Sequence, residues 1–299
     1  MSPIRRNLAL LALLALSLPL AGCSAGVKEK EGLLLATAIE PVASIVREIA
    51  GPEAEIINLI PKGASPETYE PSPREVEEFS QADLYFSLGL PSETASLLPR
   101  VGGTLVALEE AVSAAHEDLF FHSEEEHEAE EEGTHDHGEG RDHHIWVSPV
   151  RAMTMAEEIA KALIEADPQN AEAYRDNLAG YLSQLEKLDA EIRHLLQDEE
   201  NRSFVIFHPA LGYFATDYGL EMIPLEEEGK EADPGRLMEV VGLAREAGVQ
   251  GILTNDEADP RQSEAFAREI QGEVILFNIL EGDYLSMMGK LAEAVREAL

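Results

Sequence analysis

The chain has 299 residues, of which 44% are hydrophobic and 27% are charged, a composition typical of a soluble globular protein with one large domain or two modest lobes. Its 22 basic residues against 58 acidic ones give a formal net charge of −36. A surface this acidic repels nucleic acid and anionic lipid headgroups and attracts cations, which excludes nucleic acid as a partner.

The N-terminus has the pattern of an export signal. Two arginines precede an apolar run over residues 8–18, which at about eleven residues is too short to span a membrane and predicts a signal peptide over residues 1–22. The run leads into LAGC, which ends at the single cysteine, Cys23, and resembles the lipobox of bacterial lipoproteins. This implies a lipid anchor at Cys23, a linker over residues 23–32, and an extracytoplasmic location in the periplasm or on the cell surface. A buried free cysteine after an ordinary cleavage site is the alternative.

Seven short apolar runs bounded by turn residues predict strands, and helical patterns separate them. Four runs precede the middle of the chain and three follow it, at residues 33–39, 55–60, 83–88, 104–108, 203–207, 251–255 and 274–278. A capping box that begins at Ser72 opens one of the helices. Strands that alternate with helices of this length predict parallel sheets, so the two sets predict two α/β lobes.

Residues 170–197, between the two sets, carry one apolar stripe. Its members are alternately four and three positions apart, which places them on one helix face: Tyr174, Leu178, Tyr181, Leu185, Leu188, Ile192 and Leu195. A helix of this length would span about 42 Å. It is either a coiled-coil segment that dimerises or, as we favour from its position, a single strut packed across both lobes. The chain is thus divided into an N-terminal lobe (33–168), a connecting helix (169–199) and a C-terminal lobe (200–299).

Four loops carry side chains that suit a metal site: PKGASPETYEPSPREV, DHHIWVSP, FHPALGYFATDYGL and EGDYLSMM. Each is predicted to lie on a strand-to-helix loop, which is where open α/β sheets bind ligands. Taken singly, each signal is weak, because His208 at a strand end is as often structural and Asp283 suits a helix cap. Taken together, two loops from each lobe predict one cation site closed from both sides.

The order of these motifs around a long central helix resembles the metal-binding proteins of bacterial ABC importers, the solute-binding lipoproteins for zinc and manganese. The resemblance covers nearly the whole chain after the signal peptide. It implies two α/β lobes with parallel sheets, joined by one long rigid helix, with the metal in the inter-lobe cleft. By position it implies four ligands: Glu67, His144, His208 and Asp283. Glu67 departs from the family pattern, because GASPE stands where GASPH is usual, and His143 stands at a usual proline.

The implied ligand set bears on the choice of metal. Two imidazoles and two carboxylates make a harder site than three imidazoles; zinc accepts either set in tetrahedral geometry, whereas Mn²⁺ and Fe²⁺ prefer more oxygen ligands. We favour Zn²⁺, because an acidic, histidine-rich insertion like that at residues 121–141 is a hallmark of the zinc-specific members. Manganese or iron is the alternative, as is a non-ligating Glu67 with water in its place.

The insertion itself, residues 121–141, lacks apolar periodicity and is not expected to fold on its own. Histidines alternate with carboxylates there, and we predict that they hold metal loosely near the cleft, as an auxiliary set: His122, His127, His135, His137 and the neighbouring His143. A merely solvated acidic loop is the alternative. Trp146 and Tyr213 are expected to pack beneath the ligand loops.

The resemblance implies a monomeric binding protein, not an enzyme, that captures a divalent cation outside the cytoplasmic membrane and hands it to an ABC permease. A metallohydrolase is a weaker alternative, because a catalytic zinc needs an open coordination position and a general base, and the sequence contains no H-E-x-x-H or G-x-S-x-G motif. A third is a metal buffer or adhesion lipoprotein without a transporter. Since the long helix resists bending, we expect only modest closure of the lobes on metal binding.

Overall fold

The computed structural model describes residues 32–121, 140–226, 233–256 and 260–299. The predicted signal peptide, the linker up to residue 31 and Cys23 lie outside the described residues, as do four of the predicted auxiliary histidines: His122, His127, His135 and His137. Within the described ranges, no helix combines the length and the apolar character needed to cross a membrane.

The first sheet is fully parallel and has the strand order β2-β1-β3-β4. Its strands are β1 (Leu34–Thr37), β2 (Glu55–Asn58), β3 (Leu84–Ser87) and β4 (Thr104–Ala107), and its helices are α1 (Glu40–Ala50), α2 (Pro73–Phe79), α3 (Pro91–Ser96) and α4 (Leu108–Ala115). The capping box at Ser72 is confirmed: the Ser72 hydroxyl accepts from the Glu75 N–H, and the Glu75 carboxylate accepts from the Ser72 N–H. This box sets the start of α2 at the end of the long loop that follows β2.

Two helices connect the sheets, α5 (Pro149–Ala166) and α6 (Ala171–Leu196), with a short 3-10 turn between them. The predicted stripe of α6 is buried at Tyr174, Tyr181, Leu185, Leu188 and Ile192. It packs against α1 and α5 from the first half of the chain and against the last helix from the second half. Because this face is covered within the chain, α6 is the predicted strut rather than an exposed coiled-coil seam.

The second sheet repeats the topology of the first, with parallel strands in the order β6-β5-β7-β8. Its strands are β5 (Ser203–Ile206), β6 (Glu221–Pro224), β7 (Gly251–Asn255) and β8 (Glu273–Phe277), and its helices are α7 (Gly212–Tyr218), α8 (Pro234–Ala247), α9 (Pro260–Ile270) and α10 (Tyr284–Ala298). The sequence reasoning missed β6. This strand lies at the sheet edge, where proline is tolerated. Only Met222 and Ile223 stand between Glu221 and Pro224, so it lacks the apolar run that marked the other strands.

The predicted fold class is confirmed: two parallel sheets with flanking helices are joined by one long helix. The main hydrophobic cluster runs from Leu35 in β1 to Leu299 at the end of the chain and includes the buried face of α6. A smaller cluster lies between β5, β7, α8 and α9. Residues 32–299 form one compact unit, and the predicted boundaries near residues 168 and 199 stay a prediction.

Candidate metal centre

Three of the four implied ligands meet at one point. Among the described residues, one group of three side chains could hold a metal ion: Glu67, His144 and His208. Their ligand atoms, one from each side chain, all lie within 4.8 Å of one another. Glu67 Oε1 lies 2.8 Å from His208 Nε2 and 3.7 Å from His144 Nε2. The two imidazole rings are 5.5 Å apart between centroids and inclined at 67°. Glu67 and His144 come from the first half of the chain and His208 from the second.

His144 is held by a buried carboxylate two residues before it. Asp142 Oδ1 accepts from the backbone N–H of His144 at 2.9 Å and lies 2.7 Å from His144 Nδ1. Asp142 is 1% exposed, so its charge is not screened by water. A carboxylate on Nδ1 keeps the proton there and leaves the Nε2 lone pair free for a metal. The Asp142–His144 pair therefore turns Nε2 toward Glu67.

His208 has the same arrangement with a different carboxylate. It follows the carboxyl end of β5, a central strand of the second sheet, and Glu226 Oε2 lies 3.2 Å from its Nδ1. Glu226 follows the neighbouring strand β6, and its backbone N–H donates to the carbonyl of Phe207. Parallel strands bring their carboxyl ends to the same edge of the sheet, which is why these two side chains meet. Both histidines thus present Nε2 to the same point.

Glu67 is the most exposed of the three, with 40% of its side chain accessible. It lies on the loop between β2 and α2, where residues 61–71 contain no regular element. The Glu67 backbone N–H donates to Ser65 Oγ, and the Tyr69 N–H donates to the Ser65 carbonyl. The loop is therefore stabilised mainly by short-range turns.

The charges of Glu67 and His208 depend on each other. Burial acts to raise the pKa of Glu67, but the contact with His208 and the nearby histidine charges outweigh it and lower that pKa. Burial acts to lower the pKa of His208, but Glu226 and Glu67 raise it to about 9. Without a metal, the two side chains form an imidazolium–carboxylate pair at neutral pH, and a cation that binds His208 must displace a proton.

The donor set fits zinc. Zinc bonds nitrogen and carboxylate oxygen at about 2.0–2.2 Å, so two ligand atoms of a tetrahedral site lie about 3.3 Å apart. The observed separations of 2.8 and 3.7 Å fall on either side of that value. The three ligand atoms lie within 4.8 Å of one another, so the group is compact enough to surround one ion. A tetrahedral ion held by these residues keeps one position for water.

Asp283 is not brought to this point. It is the N-cap of α10, and its Oδ1 accepts from the Ser286 N–H at 2.6 Å. Its charge acts on Tyr181 of α6, and Asp283 does not line either cavity beside the three ligands. The helix-cap interpretation, which the sequence had left open, describes its position, because the carboxylate satisfies a backbone N–H that the helix leaves free.

His143 is not a member of the group of three. Its ring is half-buried, its Nδ1 has no hydrogen-bond partner, and burial lowers its pKa. It lines a cavity of about 480 Å³ on one side of the ligands, together with Leu90 and Pro91. A second cavity of about 330 Å³, lined by Phe207 and by residues of the second half, lies on the other side.

Trp146 and Tyr213 lie beneath the ligand loops, as expected. The Trp146 ring packs against His144 at 5.1 Å between centroids, and its Nε1 donates to the Ile279 carbonyl at 2.9 Å. The Tyr213 hydroxyl donates to the Asp142 carbonyl at 2.9 Å. Both bonds cross from the first half of the chain to the second, so the His144 segment is fixed by contacts with the second half.

Asp142 and Glu226 are the functional side chains that the sequence reasoning missed. The signal for Asp142 was present, because a carboxylate two residues before a candidate ligand histidine can reach its Nδ1. It was hidden by the acidic run that precedes it. Glu226 had no readable signal, because its position depends on the pairing of β6 with β5.

A family model described as "ZnuA: Zinc-uptake complex component A periplasmic" matches residues 35–298. Among curated proteins, the chain is 29% identical over 310 residues to the zinc-binding lipoprotein AdcA of Streptococcus pneumoniae (strain ATCC BAA-255 / R6), covering 98% of this chain and 61% of that protein. It is 27% identical over 285 residues to the high-affinity zinc uptake system protein ZnuA of Bacillus subtilis (strain 168), covering 89% and 88%.

The chain spans only 55% to 61% of the length of its streptococcal relatives.

Among solved structures, a crystal structure of ZnuA superimposes with a TM-score of 0.78 at 30% sequence identity, covering 90% of this chain and 99% of that one. The likeness therefore extends over both sheets and the helix between them.

Proposed function

The chain belongs to the ZnuA family of zinc-uptake components, and from this premise we propose that it captures a zinc ion outside the cytoplasmic membrane and delivers it to an ABC permease. Zinc is here the cargo, held and released unchanged. A family described as a zinc-uptake component agrees with the predicted binding protein and not with a metallohydrolase. The observation that carries the proposal is the meeting of Glu67, His144 and His208 from both halves of the chain.

We propose Glu67, His144 and His208 as the protein ligands, with water in the fourth position. Each imidazole has a carboxylate on its Nδ1, which supports Nε2 as the metal-binding atom. In this set Asp283 keeps its role as a helix cap. The four histidines outside the described residues, and His143, stay proposed as an auxiliary set that raises the local metal concentration.

Zinc is preferred over manganese on the chemistry of the three ligands. Two nitrogens and one carboxylate in a tetrahedral arrangement suit zinc, whereas manganese prefers a larger number of oxygen ligands. Glu226 and Asp142 supply carboxylates nearby, but each lies against the Nδ1 of a histidine. They support the imidazoles and are not counted as ligands.

The proposed setting follows from the family and from the N-terminus. The family description names a periplasmic component of an uptake complex, and a curated relative is named a lipoprotein. We propose that the mature protein is a monomer anchored through a lipid on Cys23 and that its partner is the permease of an ABC importer. Replacing Cys23 with serine should release the protein from membranes without changing its zinc affinity.

The decisive experiment is a competition titration with Zn²⁺ and Mn²⁺, with wild-type protein and with His208→Ala. One tight zinc site in the wild type, lost in the variant, is the expected result. If the protein binds manganese more tightly than zinc, manganese is the cargo. If tight zinc binding survives His208→Ala, the zinc site lies elsewhere in the protein. Delivery is tested by measuring zinc accumulation in zinc-starved cells that lack the protein. Unchanged accumulation would mean that the protein is a metal buffer and not part of an importer.

A further inference from the structure

The turn between β3 and α3 is built around a buried carboxylate. Glu93 in the first turn of α3 is fully buried. Its Oε2 accepts from the backbone N–H groups of Leu88 at 3.0 Å and Leu90 at 2.8 Å, and its Oε1 accepts from the Tyr85 hydroxyl at 2.8 Å. Leu90, the residue before the helix, has no polar side chain to cap it, so Glu93 does this from inside the helix. The backbone of the turn is thereby fixed at several points.

This fixed turn reaches the loop that carries Glu67. Ser92, the residue before Glu93, is 5% exposed, and its hydroxyl donates to the Pro66 carbonyl at 3.0 Å. Pro66 is the immediate neighbour of Glu67, and its carbonyl belongs to the peptide bond that joins them. The two residues bonded are 26 positions apart in the chain, so this is a tertiary contact to an otherwise locally stabilised loop.

The surroundings support this contact as the anchor of the loop. Leu90 and Pro91 line the same cavity as Pro66 and Glu67, so the turn and the loop share one wall beside the ligands. The other hydrogen bonds described for the loop join Pro61 to Ala64, join Ser65 to its neighbours, and tie the Tyr69 hydroxyl to Glu75 at the start of α2. Of these bonds, the one from Ser92 holds the peptide unit next to Glu67.

We propose that Ser92, held in place by Glu93, is a positioning residue that sets the location of Glu67 and so tunes zinc affinity. This inference rests on the proposed function, because it assumes that Glu67 binds the metal. Ser92 does not contact the ion. Its hydroxyl fixes the peptide unit before the ligand, and the Glu67 carboxylate then loses less freedom when zinc binds.

The test is a double-mutant cycle on full-length protein in detergent, with zinc as the probe. Ser92→Ala should weaken zinc binding about 3- to 10-fold, the range expected for one lost hydrogen bond, mainly through faster dissociation. In a Glu67→Ala background the same change should alter zinc affinity less than about 2-fold, because the residue that it positions is gone. Thr94→Ala is the matched control: its hydroxyl donates to the Pro91 carbonyl on the exposed side of the same helix.

Each other outcome overturns the inference. Wild-type affinity in Ser92→Ala would remove Ser92 from the site. Equal losses with and without Glu67 would mean that Ser92 acts on another part of the protein, and a variant that no longer folds would make it a structural residue. Failure of the wild type to bind zinc tightly would instead refute the proposed function itself.

Discussion

The two segments that bring ligands from the first half of the chain are held in opposite ways. The segment around His144 is buried and bonded to the second half: Trp146 Nε1 donates to the Ile279 carbonyl, and the Tyr284 hydroxyl donates to the Trp146 carbonyl at 2.8 Å. The loop around Glu67 is largely exposed, and the Glu67 side chain contacts the second half at His208.

A charged network strengthens the first segment further. Asp217 of α7 accepts from Arg151 at 2.8 Å and from the Ser148 hydroxyl, and Ser148 is itself the N-cap of α5. Arg151 also lies over the Tyr213 ring, at 4.3 Å from the centroid. These bonds hold the start of α5 against α7, which fixes the backbone just after His144.

This difference between the two segments suits a site that must first bind a metal ion and then release it. Imidazoles coordinate through one directed lone pair, so they gain most from a rigid support. The Glu67 side chain is 40% exposed, so its carboxylate can rotate away at small cost even though Ser92 holds the backbone before it. We infer that the histidines provide most of the affinity and that Glu67 is the ligand that leaves first, and four predictions test this division.

The largest effect is expected at the rigid segment. His144→Ala should weaken zinc binding by at least about 100-fold, since binding energies of about 10–16 kcal/mol are shared among the ligands of a zinc site. Competition titration with a fluorescent chelator measures it. His194→Ala, which removes an exposed histidine that contacts Gln197, should leave the affinity unchanged. Tight binding in His144→Ala would remove this histidine from the site.

The next effect concerns the carboxylate behind His144. Asp142→Asn should weaken zinc binding about 10- to 100-fold, because the amide no longer offers a buried negative charge to the Nδ1–H group. Asp118→Asn is the control, since Asp118 pairs with Arg141 and not with a ligand histidine. Equal affinities in the two variants would mean that His144 needs no support from Asp142.

A smaller effect is expected on the exposed loop. Glu67→Gln should weaken zinc binding about 10-fold, less than the loss of His144, because water can take the vacated position. Manganese binding should fall more than zinc binding, since manganese depends more on carboxylate oxygen. Parallel titrations with both metals measure the ratio. A loss as large as in His144→Ala would contradict the division between a rigid and an adaptable region.

The smallest effect is expected outside both regions. The Phe121 N–H donates to the Gly140 carbonyl at 2.6 Å, and Phe120 forms an antiparallel bridge with Arg141, so a short Gly-Ser linker can join these ends. Replacing residues 122–139 in this way should change the affinity of the tight site less than about 3-fold. Loss of all tight binding would place the site in the replaced segment and overturn the assignment to the cleft.

Much of this architecture could be predicted from sequence because its signals are local. Apolar runs located seven of the eight strands within one or two residues at each end, and the stripe from Tyr174 to Leu195 located α6. The missed strand, β6, has only two consecutive apolar residues, Met222 and Ile223, between Glu221 and Pro224. Glu226 was missed together with this strand, because its position beside His208 depends on the pairing of β6 with β5, which no local sequence pattern reveals.

The candidate site shows the same distinction between what local sequence patterns predict and what they do not. Glu67 and His208 lie on loops between a strand and a helix, as predicted, whereas Asp283 on a similar loop faces the backbone of α10 instead. Sequence position placed Glu67, His208 and Asp283 on the correct kind of loop, but the expectation was wrong for His144, which lies between the helices α4 and α5. It could not fix which way the Asp283 carboxylate turns, because a helix cap and a metal ligand favour the same residue at the same place.

The shared hydrophobic cluster has a consequence for how the protein unfolds. Since α6 buries its apolar face against helices from both halves, separating the halves would expose a large apolar surface, and neither is expected to persist alone. The two halves are therefore expected to unfold together, and heating should produce one calorimetric transition instead of two. Zinc bound at the cleft would then slow amide exchange even in β4, which lines neither cavity beside the ligands, because the opening that exposes it is the opening of the whole unit.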